Sequence, residues 1–585
     1  MNDSVLLDVT IPRTLDAWLA RFEDGSWRGA RVEGWLFEDV AVRRAAERRL
    51  AASGVQAFFR SAYKPLVHFF LEEVEAAGLA SVTVRYPQHP QATPNRFLLE
   101  AYPLAGLWPH CAFEFVAGDA GLEHEVVLRW RDGSEGTARV FAPNRVHMGT
   151  TGAQLLSPTG WLRVTRPDGS VAVDTAETTD YEQVFAQVVA TTESHSWPRS
   201  EPFFERLDIR VDLPGIAQRL PVEQETVSSH EALHEDIYFS LLEIFQRRSG
   251  RAPGDRRLQP GQIVPDVRVA DAAPRLRIAL RGISAGPEER PEAGDDLPLA
   301  DLARAPSPAR IAREMDVLGG QRFTATTRQG RSVLGLYQPG PSAPVFVSGG
   351  QHANETSGIV GALRAAQELR ARGDAHFALV ALENPDGYAL QRELAAQHPE
   401  HMLHAARYTA LGDDVEYREQ APWFEREARL QALQLSGAQL HLNLHGYPAH
   451  EWTRPLSGYL PQGFELWTIP KGFFLILRHH HGWGGEARAL LERVGAALAE
   501  VPGLADYNAR QLALYQRHAG ALPFELVHGT ACAVSEVERP GTAPVTLITE
   551  FPDETVHGEA FRFAHTVQMR TVLAAVAAWQ SLARA

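Results

Sequence analysis

Cysteine is nearly absent from this chain: Cys111 and Cys532 are the only two in 585 residues, and they stand far apart. That argues against a disulfide framework and sets the expectation of a reducing, cytoplasmic environment. Long apolar runs are missing too. No stretch approaches the ~20 residues of a membrane helix, and Phe473 to Leu477 has the length of a buried strand. The opening Met1-Asn-Asp-Ser-Val-Leu-Leu-Asp8 has neither the basic region nor the apolar core of a secretory signal. Positive charge is in deficit, with a formal net charge of −15 and no basic run. This speaks against a nucleic-acid or anionic-membrane partner. There is no Gly-rich phosphate loop, no Gly-x-Ser-x-Gly elbow, no Cys-x-x-Cys pair and no internal repeat, so several rival chemistries have no foothold.

What is present suits a globular protein with sizeable cores: 44% hydrophobic and 22% charged residues, with 47 glycines and 38 prolines. The length suggests about three or four domains. Residues 1–115 read as mixed α/β, with helical periodicity over Asp39–Ala51 and Tyr63–Ala77 and a strand at Ser81–Tyr86. Residues 116–290 read as β-rich. Glu125–Trp130 and Ala138–Phe141 flank an Asp132-Gly133 turn, and further strands are expected over Pro202–Ile216 and Leu276–Ile283. The charged, Pro- and Gly-rich segment Ser284–Asp296 is the expected linker. A third domain is placed at 297–585, opening with a helix over Leu299–Met315 and a hairpin over Arg322–Tyr337.

In that third domain, three short apolar runs each end on a polar residue able to bind a metal or move a proton. Val345-Phe-Val-Ser-Gly-Gly350 is a strand broken by two glycines, followed by His352 and Glu355 and then a helical pattern. Such strand ends are where open α/β sheets build sites. Gln439–Tyr447 alternates strictly and delivers His445 to a strand end. His441 shares that face but lies ~13 Å back along a strand, so it is assigned to the core or to support of the ligands. Val545–Glu550 ends on Glu550, a carboxylate suited to activate a metal-bound water. An imidazole–carboxylate–imidazole set with one position left for water is a catalytic zinc pattern.

His352-x-x-Glu355, Asn384-Pro-Asp-Gly387, His445-Gly-Tyr447 and Thr549-Glu550 occur in that order. The set resembles the zinc metallocarboxypeptidase family, of which carboxypeptidase A is the familiar member, over the C-terminal half. The resemblance implies a mixed-sheet α/β/α domain holding Zn²⁺ through His352, Glu355 and His445, with Glu550 as general base. It also implies an arginine that stabilises the oxyanion, for which Arg407 is the candidate. Asn384 and Tyr447 are expected at the substrate funnel, and Tyr459 and Tyr515 compete for a tyrosine that closes on the substrate. The family's Asn-Arg pair, which grips a terminal carboxylate, is missing between 407 and 445, so Arg418 is taken as its substitute. The expected activity is hydrolysis of a peptide amide bond, at a C-terminus by preference. Deacylation of N-acyl amino acids, as in the aspartoacylase and desuccinylase type, is one alternative, and an inactive peptide-binding protein is another.

Three histidine features are read more plainly. His230-Glu-Ala-Leu-His234 matches a zincin pattern, but Ser228 and Ser229 resemble helix caps and no third ligand follows, so a helix N-terminus is preferred to a second zinc site. His479-His-His481 cannot converge on one ion and is expected to be partly exposed, or to supply at most one substrate contact. Asp413 or Asp414 is a candidate partner for the far nitrogen of His352, with a solvated acidic loop as the preferred reading.

Overall fold

The computed structural model describes residues 4–252, 254–282, 292–461 and 464–582. The larger part of the expected linker, Ser284 to Pro291, lies outside the described residues. The protein is mixed α/β, as the periodicities imply.

A nine-stranded mixed sheet organises the C-terminal half. Its strands in chain order are β1 (Gln321–Thr326), β2 (Ser332–Gln338), β3 (Val345–Gly349), β4 (Phe377–Val380), β5 (Leu440–Pro448), β6 (Phe474–His479), β7 (Glu525–Val527), β8 (Thr530–Glu536) and β9 (Val545–Glu554). Their order in space is β1-β2-β4-β3-β5-β9-β6-β8-β7. The four central strands β4, β3, β5 and β9 run parallel. Helices cover the sheet, so β3, β4 and β5 are buried throughout; β3 and β4 read as near-continuous apolar runs, while β5 alternates apolar residues with buried polar ones. The register sets Gly349 beside Leu444 and His445 beside Glu550. The motif residues therefore meet at one carboxyl edge.

Two glycines make that edge possible. Gly350 sits at φ +62°, a turn that L side chains rarely adopt. Gly358, in the helix Ser357–Arg372, lies so close to β5 that a Cβ would stand 2.9 Å from the Leu444 carbonyl oxygen. The helix that follows Glu355 is thereby pressed against the strand carrying His445.

Asn384-Pro-Asp-Gly387 begins the helix Pro385–Ala395 and is not a free-standing turn. Asn384 Oδ1 accepts the Gly387 N–H at 2.9 Å, and proline occupies the first turn. Asp386 accepts from Thr327 Oγ1 at 2.8 Å and Arg331 Nη1 at 2.9 Å, tying this helix to the β1–β2 hairpin.

The N-terminal half is not divided at residue 115. The strand Ala112–Ala120 crosses that point and pairs with Leu79–Gln88. Arg31–Leu36 pairs with Gly160–Thr165, and Ser4–Thr10 pairs with Arg275–Arg281. The segment read as β-rich also holds two long helices, Asp180–Ser194 and Ser229–Ser249. One apolar core runs from Ile11 through Leu233 and Phe245 to Leu390, Met402, Trp452 and Leu456. The two halves thus share a core, and it lies under the loops that flank the site.

Candidate metal centre

His352 and Glu355 occupy the short connection between β3 and the helix Ser357–Arg372, while His445 stands near the end of β5. Nδ1 of His352 lies 2.8 Å from Glu355 Oε1 and 3.0 Å from Nδ1 of His445. Nδ1 of His445 lies 2.8 Å from Glu355 Oε2. Among the described residues, this is the group in which three His, Cys, Asp or Glu donors can reach one ion. Donors on a tetrahedral zinc with bonds of about 2.0–2.1 Å stand ~3.3 Å apart, so two imidazoles and a carboxylate at this spacing fit such an ion.

Surrounding groups fix the donors. Asp414 Oδ2 lies 3.3 Å from the far nitrogen of His352, and Asp414 Oδ1 accepts from Gln351 Nε2 at 2.7 Å. Asp414 is buried, so the solvated-loop reading gives way to a partner that orients the imidazole. Gln351 Oε1 in turn accepts from Arg429 and Asn443. The His445 backbone is held by Thr549 and Gln568. His441 bonds Ser348 Oγ at 2.8 Å and stacks on Phe346, which makes it a core residue.

The charges at Glu355 and His445 suit metal binding, while those around His352 favour its protonated form. Burial opposes ionisation of Glu355, but His352, Arg407 and His445 together hold its carboxyl well below the usual range. Burial draws the His445 ring below its usual value. For His352, burial and Arg407 oppose protonation, yet Glu355 and Asp414 raise it above the ordinary value. An ionised carboxylate and a neutral imidazole are ligand forms.

A cavity of about 90 Å³ adjoins the donors, with Arg407, Glu550, Tyr447 and Trp467 in its wall. Burial and the charge of Glu355 push Glu550 well above the carboxylate range, opposed by Arg407 and Lys471. Arg407 Nη1 donates to Glu355 Oε1 at 2.5 Å, and Asn384 Nδ2 approaches the Arg407 carbonyl at 3.5 Å. A larger cavity of about 1030 Å³ lies elsewhere, bounded in part by Gly282 and Glu292 on either side of the segment outside the described residues. Among the described residues it has no converging donor set.

Three expectations for substrate contacts change. Arg418 is buried and committed: it donates to Asp413 Oδ1 at 2.6 Å, Glu425 Oε2 at 2.6 Å and the Trp423 carbonyl at 2.8 Å. No face of its fork is left for a carboxylate ligand. Asn384 is a buried helix cap that supports the Arg407 loop and does not line the cavity. Tyr447 lines it, but its hydroxyl is taken up elsewhere: it donates to the Gly472 carbonyl at 2.6 Å and accepts from Lys471 N at 3.0 Å. Neither Tyr459 nor Tyr515 reaches the cavity. Both are buried in a separate cluster with Leu99 and Tyr102, and Tyr417 stands at the wall instead.

The zincin-like motif is a helix start. Ser228 caps it, His230 Nε2 lies 3.1 Å from the Leu213 carbonyl, and Glu231 is taken up by His450 at 2.8 Å. His481 is exposed, with no converging donor set among the described residues.

Sequence reasoning missed Lys471. Its amine is buried against the rings of Tyr447, Trp467 and Phe474 without a hydrogen-bond partner among the described residues, and burial pulls its pKa down to about 7. It also missed His404 and Arg256, which line the cavity. A lysine amid aromatics in Trp467-Thr-Ile-Pro-Lys-Gly-Phe-Phe474 was the available signal for the first. For Arg256, nothing local marks a residue from the other half.

No family model matches this chain, and no curated protein matches it. Solved structures that resemble it include a metallo-carboxypeptidase from Pseudomonas aeruginosa, 16% identical, covering 54% of this chain and 73% of that one with a TM-score of 0.29. A metallo-carboxypeptidase from Burkholderia cenocepacia is 15% identical, covering 54% and 74%, also at 0.29. Bovine thrombin-activatable fibrinolysis inhibitor is 10% identical, covering 49% and 100%, again at 0.29. No helix among the described residues is long and apolar enough to cross a membrane.

Proposed function

We propose that the chain is a zinc-dependent hydrolase that cleaves a peptide amide bond. The observation that carries this reading is the mutual approach of Nδ1 of His352, Nδ1 of His445 and the Glu355 carboxylate at 2.8–3.0 Å, beside the cavity that Glu550 enters. Zinc held by these three residues would supply Lewis-acid polarisation of a carbonyl and acidification of a water.

The protein's own groups do the rest. Glu550 is not hydrogen-bonded to any described residue, and its oxygens open to the cavity. It takes a proton from the attacking water and passes it to the departing nitrogen. Arg407 donates an N–H toward the carbonyl oxygen as negative charge develops there. Asp414 holds the His352 ring, and Tyr447, Trp467 and Phe464 screen the cleft from bulk water.

A second reading, deacylation of a small N-acyl amino acid, is favoured by two observations: the cavity is about 90 Å³, and Arg418 is withheld from it. The deciding experiment compares benzoylglycyl-phenylalanine with N-acetyl amino acids on the zinc-loaded protein. The peptidase reading predicts the larger kcat/KM on the dipeptide, and a reversed preference selects deacylation. In either case Glu550→Gln retains zinc and loses about 10²–10⁴-fold in kcat. Undiminished activity in that variant rules out the role given to Glu550.

A further inference from the structure

The helix Ser229–Ser249 belongs to the N-terminal half, yet its acidic side chains face the C-terminal half. Glu231 meets His450, and Asp236 accepts the Leu456 N–H at 2.9 Å. Between them, Glu235 Oε2 lies 2.7 Å from Nδ1 of His404. Glu235 is wholly buried, and its other oxygen has no hydrogen-bond partner among the described residues. The His404 ring is clamped by Phe239, 4.9 Å away between centroids, and by Trp452 at 4.6 Å. Phe239 comes from the same helix as Glu235, so the N-terminal half sets both the position and the tilt of this imidazole.

His404 also lines the cavity beside the three donors, three residues before Arg407. With Nδ1 turned to Glu235, its Nε2 is the free end. That atom has no hydrogen-bond partner among the described residues and is not sealed from solvent, and the cavity is the space that His404 lines. We propose that His404, held by Glu235 of the N-terminal half, places an N–H donor in the cleft that binds a carbonyl or carboxylate oxygen of the substrate.

The hydrogen on Nε2 follows from charge. A buried carboxyl–imidazole pair is least costly when its net charge is zero. The neutral pair holds two protons, arranged either as carboxylate with imidazolium or as carboxylic acid with neutral imidazole. In the first, both ring nitrogens carry hydrogen. In the second, the acid donates to Nδ1 and the ring hydrogen sits on Nε2. Both leave Nε2–H aimed at the cleft. Burial pushes Glu235 well above the carboxylate range and draws His404 well below its usual value, which favours the second arrangement.

The substrate side of this inference rests on the hydrolase reading, while the placement of the donor does not. The N-terminal half then forms part of the active site, and residues 297–585 alone would lack Glu235 and Phe239.

The test uses the full-length, zinc-loaded protein with His404→Phe, His404→Gln, Glu235→Leu and Glu235→Gln. Benzoylglycyl-phenylalanine is the substrate, and the imidazole ¹⁵N signals are followed while benzoylglycine is added. His404→Phe and Glu235→Leu are expected to lower kcat/KM by about 10- to 100-fold, mainly through KM. His404→Gln keeps an N–H near the Nε2 position, and Glu235→Gln can donate to Nδ1; both are expected to return to within about threefold of wild type. Equal losses in His404→Gln and His404→Phe would overturn the proposal and assign His404 to packing alone. If the wild type cleaves no peptide, the hydrolase reading fails and the ¹⁵N titration decides this inference by itself. A protonated Nε2 whose signal moves with benzoylglycine in wild type but not in Glu235→Leu supports it. A bare Nε2, or a signal that stays put, overturns it.

Discussion

Asp414 and Gln351 are 63 residues apart in sequence, yet Gln351 Nε2 donates to Asp414 Oδ1 at 2.7 Å, and Asp414 Oδ2 reaches the His352 ring. The pair locks the first metal donor from behind. Asp414→Ala is therefore expected to weaken zinc binding about 10- to 100-fold while leaving the three ligands in place. Competition with a chromophoric chelator measures this directly. An unchanged affinity would show that Asp414 only completes the loop.

Arg418 tests a different role for a charged residue. Its guanidinium stands between Asp413 and Glu425, all three buried. Arg418→Met leaves two carboxylates without their cation and is expected to destabilise the fold by roughly 3–5 kcal/mol. Denaturant unfolding of wild type and variant gives the number. A variant of wild-type stability with a raised KM would restore Arg418 as a substrate contact.

Asp236 makes stability depend on pH. Burial raises its carboxyl from an ordinary 3.8 to about 7, against the pull of Ser457 and Arg454. The folded state therefore keeps a proton that the unfolded chain loses above pH ~4. The folded state binds more protons across that window, so stability falls as pH rises from about 4 to about 7. Asp236→Asn removes this contribution, and melting temperatures measured from pH 5 to 7 should give a flatter profile than wild type. Parallel profiles would contradict the assignment.

The parts of this fold legible in the sequence are those fixed locally. His352, Glu355, His445 and Glu550 each follow a short apolar run, and a strand end is readable from apolar content and glycine alone. Their convergence on one edge depends on the parallel register of β3, β5 and β9, which the ordered motifs implied but did not prove. Arg418 was misread because its position in a loop was visible and its two buried carboxylate partners were not. The Asn384 turn was misread because an Asn-Pro-Asp-Gly sequence serves a helix N-cap as well as a reversal.

The N-terminal half was least legible, and the reason is topological. Ser4–Thr10 finds its partner at Arg275–Arg281, and Arg31–Leu36 at Gly160–Thr165. No local pattern encodes such pairings. The contacts of Glu235 with His404 and of Lys64 with Glu451 likewise join residues far apart in the chain. They belong to a shared core that a division at 115 and 290 could not reveal.

The central claim is that His352, Glu355 and His445 hold one catalytic zinc. Elemental analysis of the full-length protein, purified without a histidine tag and offered zinc, tests it against a His445→Ala variant of matched fold. The account predicts one zinc per chain in the wild type and its loss in the variant. A wild type that binds no zinc, or a variant that keeps it, would contradict the claim.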